Sequence, residues 1–220
     1  MGTAIEREAR FLVRDEAARR ALVRLRDLEG FRRVRIRRER QQNTYLDTVD
    51  LRLRRARSVL KLRRVGRRVD VTFKRSLGVR QGIASRLEVT ARIRPAHIAG
   101  VFAGTLHIPP QRRIRPLIGA RALHALFTLH TDRTILVLAD GRARVELDVD
   151  RVTFRKGGRI HAGRLEAEVE NLNAPPVVFR RAVAALRRRF GGALQPTRVS
   201  KFEYGLRLAR RQGRSAPRYL

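Results

Sequence analysis

The chain has 220 residues, 43% of them hydrophobic, which is enough for one sizeable domain with a real core. Lys and Arg number 52 against 20 Asp and Glu, a net charge of +32; such a surplus repels itself unless nucleic acid, polyphosphate, a nucleotide or acidic lipid offsets it. Cysteine is absent, which excludes disulfides and thiolate metal sites, and with no span-length apolar run or signal-like segment the expectation is a cytoplasmic protein with no membrane partner.

The chain opens on a strict alternation over residues 5–14. Ile5, Ala9, Phe11 and Val13 face one way, and Glu6, Glu8 and Arg10 face the other. Asp15 is placed to cap a helix running to about Gly30, with Ala18, Leu22, Leu25 and Leu28 at helical spacing. A strand is predicted over 33–42, leading into Tyr45-Leu46-Asp47-Thr48. Strands over 58–65 and 69–74 follow, joined by a turn at Gly66, and another runs over 85–93.

From Pro95 to Phe127 the pattern is helical, broken by Pro109, Pro110 and Pro116. Strands resume over 129–138, 142–150 and 164–170. Pro175-Pro176 opens a helix with Phe179, Val183, Leu186 and Phe190 on one stripe, stopped by Gly191-Gly192. Gly157-Gly158 and Gly191-Gly192 read as turns, since neither begins a phosphate-binding loop pattern. The segment 206–220 reads as a basic, flexible tail after a single domain over 1–205. Eight strands in two groups, each with helices, give an α+β chain.

The polar strand faces collect the acids Glu6, Glu8, Glu88, Glu146, Asp148, Glu166, Glu168 and Glu170. They also collect the bases Arg10, Lys61, Arg63, Lys74, Arg86 and Arg144, with Arg133 on a strand whose face is ambiguous. One wet face is ordinary for an antiparallel sheet. Repeated acid pairs in a chain short of acids are not, because parallel carboxylates repel unless a cation lies between them. Carboxylate pairs suit Mg2+ or Mn2+, and guanidinium and ammonium groups suit phosphate oxygens. A surface holding both would enclose a metal–polyphosphate complex, provided the sheet closes with its polar face inside.

These residues resemble the CYTH family, the triphosphate tunnel metalloenzymes. Glu6-Arg7-Glu8-Ala9-Arg10 resembles the opening ExExK motif. In family order follow Tyr45-Leu46-Asp47-Thr48, Leu60-Lys61-Leu62-Arg63, Thr72-Phe73-Lys74, Arg86-Leu87-Glu88, Asp148, Glu166-Ala167-Glu168-Val169-Glu170 and Ser200-Lys201-Phe202. The resemblance spans about Glu6 to Lys201. It implies an eight-stranded antiparallel closed β-barrel, a tunnel with helices packed outside. It also implies metal ligation by Glu6, Glu8, Asp148, Glu166 and Glu168, and triphosphate contacts from Arg10, Lys61, Arg63, Lys74, Arg133 and Lys201, with Arg86 and Arg144 added as bases of the same strand faces.

The implied chemistry is attack of a metal-ordered water on the terminal phosphorus, the metal-bound Glu6 and Glu8 serving catalysis and Glu88 or Glu146 orienting the water. The implied partner is inorganic triphosphate, polyphosphate or an organic triphosphate. Three positions depart from the family pattern: Arg10 for lysine, Lys61 for arginine, and Thr90 where a second acid often follows Glu88. A non-catalytic polyphosphate-binding module is the second expectation. A basic nucleic-acid binder using Arg187-Arg188-Arg189 is the third, with few aromatics for stacking. Five histidines show no metal-ligand spacing.

Overall fold

The computed structural model describes residues 4–156 and 159–213. Its strands are β1 (Ala4–Val13), β2 (Asp27–Leu28), β3 (Phe31–Asp47), β4 (Ser58–Val65), β5 (Arg68–Arg80), β6 (Ile83–Ile93), β7 (His124–Asp140), β8 (Ala143–Lys156), β9 (Arg159–Asn171) and β10 (Leu194–Pro196). Eight of them close into an antiparallel barrel in the order β1-β6-β5-β4-β3-β7-β8-β9, and β9 returns to pair with β1. β2 pairs with β3 and β10 with β1, outside that ring. Closure lets alternate residues fill an interior while the others meet helices outside.

The outward residues form the cores. Ala9, Phe11 and Val13 of β1 join Leu136, Leu147 and Val149 under α1 (Glu16–Val23) and α5 (Pro176–Phe190), whose Leu22, Phe179 and Leu186 are buried there. Leu60, Leu62, Val71 and Phe73 pack against Val101 of α3 (Ile98–Ala103), Ile114 of α4 (Pro109–Ile118) and Leu53 of α2 (Arg52–Arg55). At one end Tyr45, Phe127 and Phe202 stack with ring centroids 4.9–5.9 Å apart and seat α6 (Lys201–Gly213).

Several boundaries differ from the sequence reading. Asp15 does cap α1 by accepting from the Ala18 N–H, but the helix ends at Val23 rather than near Gly30. Glu29 and Gly30 both take positive φ and turn β2 into β3, so Leu28 is buried from a strand instead. Tyr45 and Asp47 lie inside β3, which is longer than the run of alternation that announced it. Helices occupy Pro95–Phe127 only as far as Ile118; β7 takes over at His124, so His124 and Phe127 are strand residues. The segment expected to be tail from 206 is helical to Gly213 with Leu206 buried; residues 214–220 lie outside the described residues, as does the Gly157-Gly158 turn. Gly191 begins a 3-10 turn, as expected. Among the described residues no helix is long and apolar enough to cross a membrane.

Candidate functional site

Register decides which charged residues meet inside the barrel. From β1, Glu6 lies opposite Arg86 of β6, Glu8 opposite Glu170 of β9 and Arg10 opposite Glu168. Glu88 of β6 lies opposite Lys74 of β5, and Thr72 of β5 opposite Lys61 of β4. Lys61 in turn meets Tyr45, and Arg63 meets Asn43, on β3. On the far wall Glu146, Asp148 and Asp150 of β8 face Glu170, Glu168 and Glu166 of β9. One wall is thus acid-rich and the other base-rich. Between them runs a cavity of about 640 Å³, lined by Glu6, Glu8, Arg10, Lys61, Arg63, Lys74, Arg86, Glu88, Arg133, Glu146, Glu168, Glu170 and Lys201, among others.

Most of these charges are already paired. Lys74 Nζ holds Glu6 at 2.7 Å and Glu88 at 2.8 Å. Burial would raise the Glu88 carboxyl, but Lys74 and Lys61 hold it at about 2. Glu8 pairs with Arg86 at 2.8 Å and Arg10 at 3.1 Å; burial and the nearby Glu168 still push it up. Arg133 reaches three acids, bonding Asp148, Asp150 and, at 3.0 Å, Glu168. Lys201, at the start of α6, lies 2.8–2.9 Å from Asp150, Glu166 and Glu168. Burial works against Glu168 ionising, yet Lys201 and Arg133 draw it well below the usual carboxylate range.

Two groups break this pattern of compensation. Lys61 is 9% exposed and has no ion pair among the described residues; burial, then the positive charges of Arg63 and Lys74, depress its basicity strongly. Among the described residues, the side chain of Arg63 beside it donates only to Asn43 Oδ1, at 3.1 Å. Together they present a guanidinium and an amine whose charge an incoming anion would restore. Opposite in charge are Glu146, Asp148 and Glu170, which bring one carboxylate oxygen each within 4.8 Å of one another. Burial raises Asp148 to about 8, because Asp150, Glu146 and Glu168 add repulsion while Arg133 divides its charge among three acids. Burial and Glu6 raise Glu170 to about 8. Asp148 Oδ1 is buried without a hydrogen-bond donor. Three converging carboxylates, one of which has an orphaned oxygen, fit a divalent cation.

The residues expected to hold metal fall in different surroundings. Glu6 and Glu8 reach the cavity but are held by Lys74, Arg86 and Arg10. Glu166 is buried off the cavity, bonded by Arg164 and Lys201. Asp148 belongs to the triad, joined by Glu146, which the sequence put in a catalytic role, and by Glu170, which it left unassigned. Glu170 continues the i, i+2 run of Glu166 and Glu168, but only the β8–β9 register reveals that it meets Glu146.

Of the expected phosphate ligands, Arg10, Lys61, Arg63, Lys74, Arg86, Arg133 and Lys201 line the cavity. Arg144 does not: it is exposed, one residue into β8, beyond the last inward acid. Glu39, Gln41 and Asn43 of β3 also line it, unannounced by any charged alternation. Thr90 bonds Thr72 at 3.0 Å and Glu88 at 3.1 Å, steadying the carboxylate it follows. Asp47 accepts from the N–H groups of Thr48, Leu53 and Arg54, so this buried motif acid anchors α2 instead of touching the cavity.

The CYTH domain family profile matches residues 4–194. Three solved structures share the fold. A Hippeastrum protein, described as an adenylyl cyclase with a dominant triphosphatase activity, is 20% identical with a TM-score of 0.71, covering 96% of this chain and 98% of that chain. A Bacillus halodurans protein described as an adenylate cyclase is 22% identical with a TM-score of 0.62, over 93% and 98%. A Pyrococcus horikoshii protein is 18% identical with a TM-score of 0.54, over 91% and 99%. No curated protein matches the chain.

Proposed function

The chain belongs to the CYTH family, and from that premise we propose that it is a divalent-metal-dependent hydrolase of triphosphates, most simply of inorganic triphosphate. The observation that carries this reading is the pairing of uncompensated groups across one cavity: Lys61 and Arg63 with no ion-paired acid among the described residues, and Glu146 and Glu170 on the lining, gathered with the buried Asp148 behind them. A triphosphate with its metal supplies both missing charges at once.

Glu146, Asp148 and Glu170 would hold Mg2+ or Mn2+. When bound, such an ion neutralises phosphate oxygens and orders a water. Lys61 and Arg63 would grip the anion from the opposite wall, with Lys74, Arg86 and Arg10 close enough to share it. Phosphoryl transfer of this kind depends on positioning and on charge neutralisation at the equatorial oxygens. Glu88, held at about 2 by Lys74 and Lys61, stays a carboxylate and accepts hydrogen bonds from the attacking water without taking its proton. Arg133 and Lys201 keep Glu168 and Asp150 charged and in place.

Phosphate release from tripolyphosphate with Mg2+ or Mn2+ tests the proposal. Turnover that requires the metal and stops on chelation is expected. Tight, salt-sensitive triphosphate binding without release under either metal would assign the chain to a binding role instead.

A further inference from the structure

Outside the tunnel, one stretch of strand has no neighbour. β7 covers one side of β3 from Arg32 to Asp47, with a bulge at Val34. On the other side β2 pairs only with Phe31 and Arg32, the Arg33 N–H donates to the Arg26 carbonyl, and β4 pairs only from Gln42 onward. Between these supports, residues 34–41 offer main-chain N–H and C=O groups with no strand against them among the described residues. Proteins normally cover such an edge or blunt it.

The side chains here point to an occupant. Val34 is 58% and Ile36 44% exposed. Arg35 and Arg38 are exposed, and so are Arg64 on β4 and Arg67 in the adjoining turn; among the described residues none of these four has an acid partner. The acids nearby are committed: Glu39 to Arg37 at 3.1 Å and to Arg68 at 3.8 Å, and Asp132 lies 3.8 Å from Arg40.

We propose that residues 34–41 receive an acidic, extended segment of a partner protein as an added strand. Main-chain hydrogen bonds to the open edge would supply the register, as in other strand-addition complexes. Acidic side chains on one face of the incoming strand would meet Arg35, and apolar ones on its other face would cover Ile36. A second copy of this chain is the wrong occupant, because it would set arginines against arginines. Nucleic acid fits less well than peptide: no aromatic residue is among the exposed large hydrophobics, so bases have no stacking platform, and an open ladder of amides has no counterpart on a phosphate chain. Val34, Arg35, Ile36 and Arg38 lie outside the tunnel lining, whereas Arg37, Glu39 and Gln41 of the same stretch belong to it, so only substitutions at the first four leave the lining intact.

A fluorescent peptide of about eight residues alternating Glu and Val, titrated against the full chain at low salt by anisotropy, tests the idea. Saturable binding that weakens as salt rises is expected, together with slowed amide exchange over residues 34–41. The Arg35→Glu/Arg38→Glu double variant should bind about tenfold more weakly, with its phosphate release and thermal transition unchanged. Two further peptides, N-methylated on one or the other alternate set of amides, read the backbone directly: one set faces β3 and should lose binding, and the other should keep it. Equal binding by both, no saturable binding at all, or tighter binding of an oligonucleotide of equal charge would overturn the proposal.

Discussion

Two groups of carboxylates share one tunnel and differ in everything but chemistry. Glu6 and Glu8 come from the strict alternation that opens the chain, yet Lys74, Arg86 and Arg10 already occupy them. Glu146, Asp148 and Glu170 come from two strands, and only Asp148 of the three is bonded by a cation, Arg133. The first group is ion-paired already, although Glu8 Oε1 and Arg10 Nη1 are buried without a well-directed hydrogen bond. The second is charge held in readiness, and its acids resist ionisation until an ion arrives. Residue type is the same in both, so the neighbours imposed by register decide which group can accept a metal.

Substitutions can break that contrast. The largest effect is expected at the second group: the Asp148→Asn/Glu170→Gln double variant should lose more than about a hundredfold in metal-dependent phosphate release, exceeding what is typical for residues that merely support a ligand. Its thermal transition without metal should not fall, since two reluctant charges are removed. A matching loss of stability would show that these acids are structural.

At the first group the expectation reverses. Lys74→Met strands Glu6 and Glu88 together in a buried setting, which should cost about 3 kcal/mol of folding stability by denaturant titration. No change in midpoint would mean that Glu6 is free to serve a metal after all.

Lys61 sharpens the contrast from the cationic side. Lys61→Met should cut turnover about a hundredfold by removing an amine that takes up its charge when the anion binds, and should also raise the melting temperature, because an unpaired buried amine disappears. Calorimetry alongside steady-state rates checks both signs.

The smallest effect is the pH dependence of metal stabilisation. Asp148 and Glu170 have folded values of about 8 against an ordinary carboxylate range near 4. Folded protein therefore binds protons more readily than unfolded chain. That contribution to stability is complete below about pH 4 and is lost as pH rises through about 8. A divalent ion competes with those protons, so Mn2+ should raise the melting temperature more at about pH 8.5 than at about pH 6. An equal rise at both would place the ion elsewhere.

The barrel was legible because β1, β4, β5, β6, β8 and β9 each alternate, and alternation of period two survives any tertiary context. The lining bases were legible for the same reason. Strand order was not, and partner identity inside a barrel follows from order and shear. That is why Glu170 went unassigned beside Glu146, and why Arg144, on the correct face of β8, stands outside the tunnel: parity gives direction but not depth. β2 was hidden because Leu25 and Leu28 keep helical spacing across a turn that Glu29 and Gly30 impose with positive φ. Glu39, Gln41 and Asn43 were hidden because the arginines crowding 32–40 mask the polarity of β3 on both faces.

The ring closes where β9 pairs with β1, joining strands near opposite ends of the described chain. A ribosome delivers β1 long before its final neighbour exists. Until β9 emerges, Glu8 and Arg10 have only each other and β6, and one edge of β1 is open. Such distant contacts fold slowly, and the waiting intermediate carries an unpaired edge prone to wrong associations. For this architecture the seam between β1 and β9 should be the last event of refolding and the first point at which an overproduced chain goes astray.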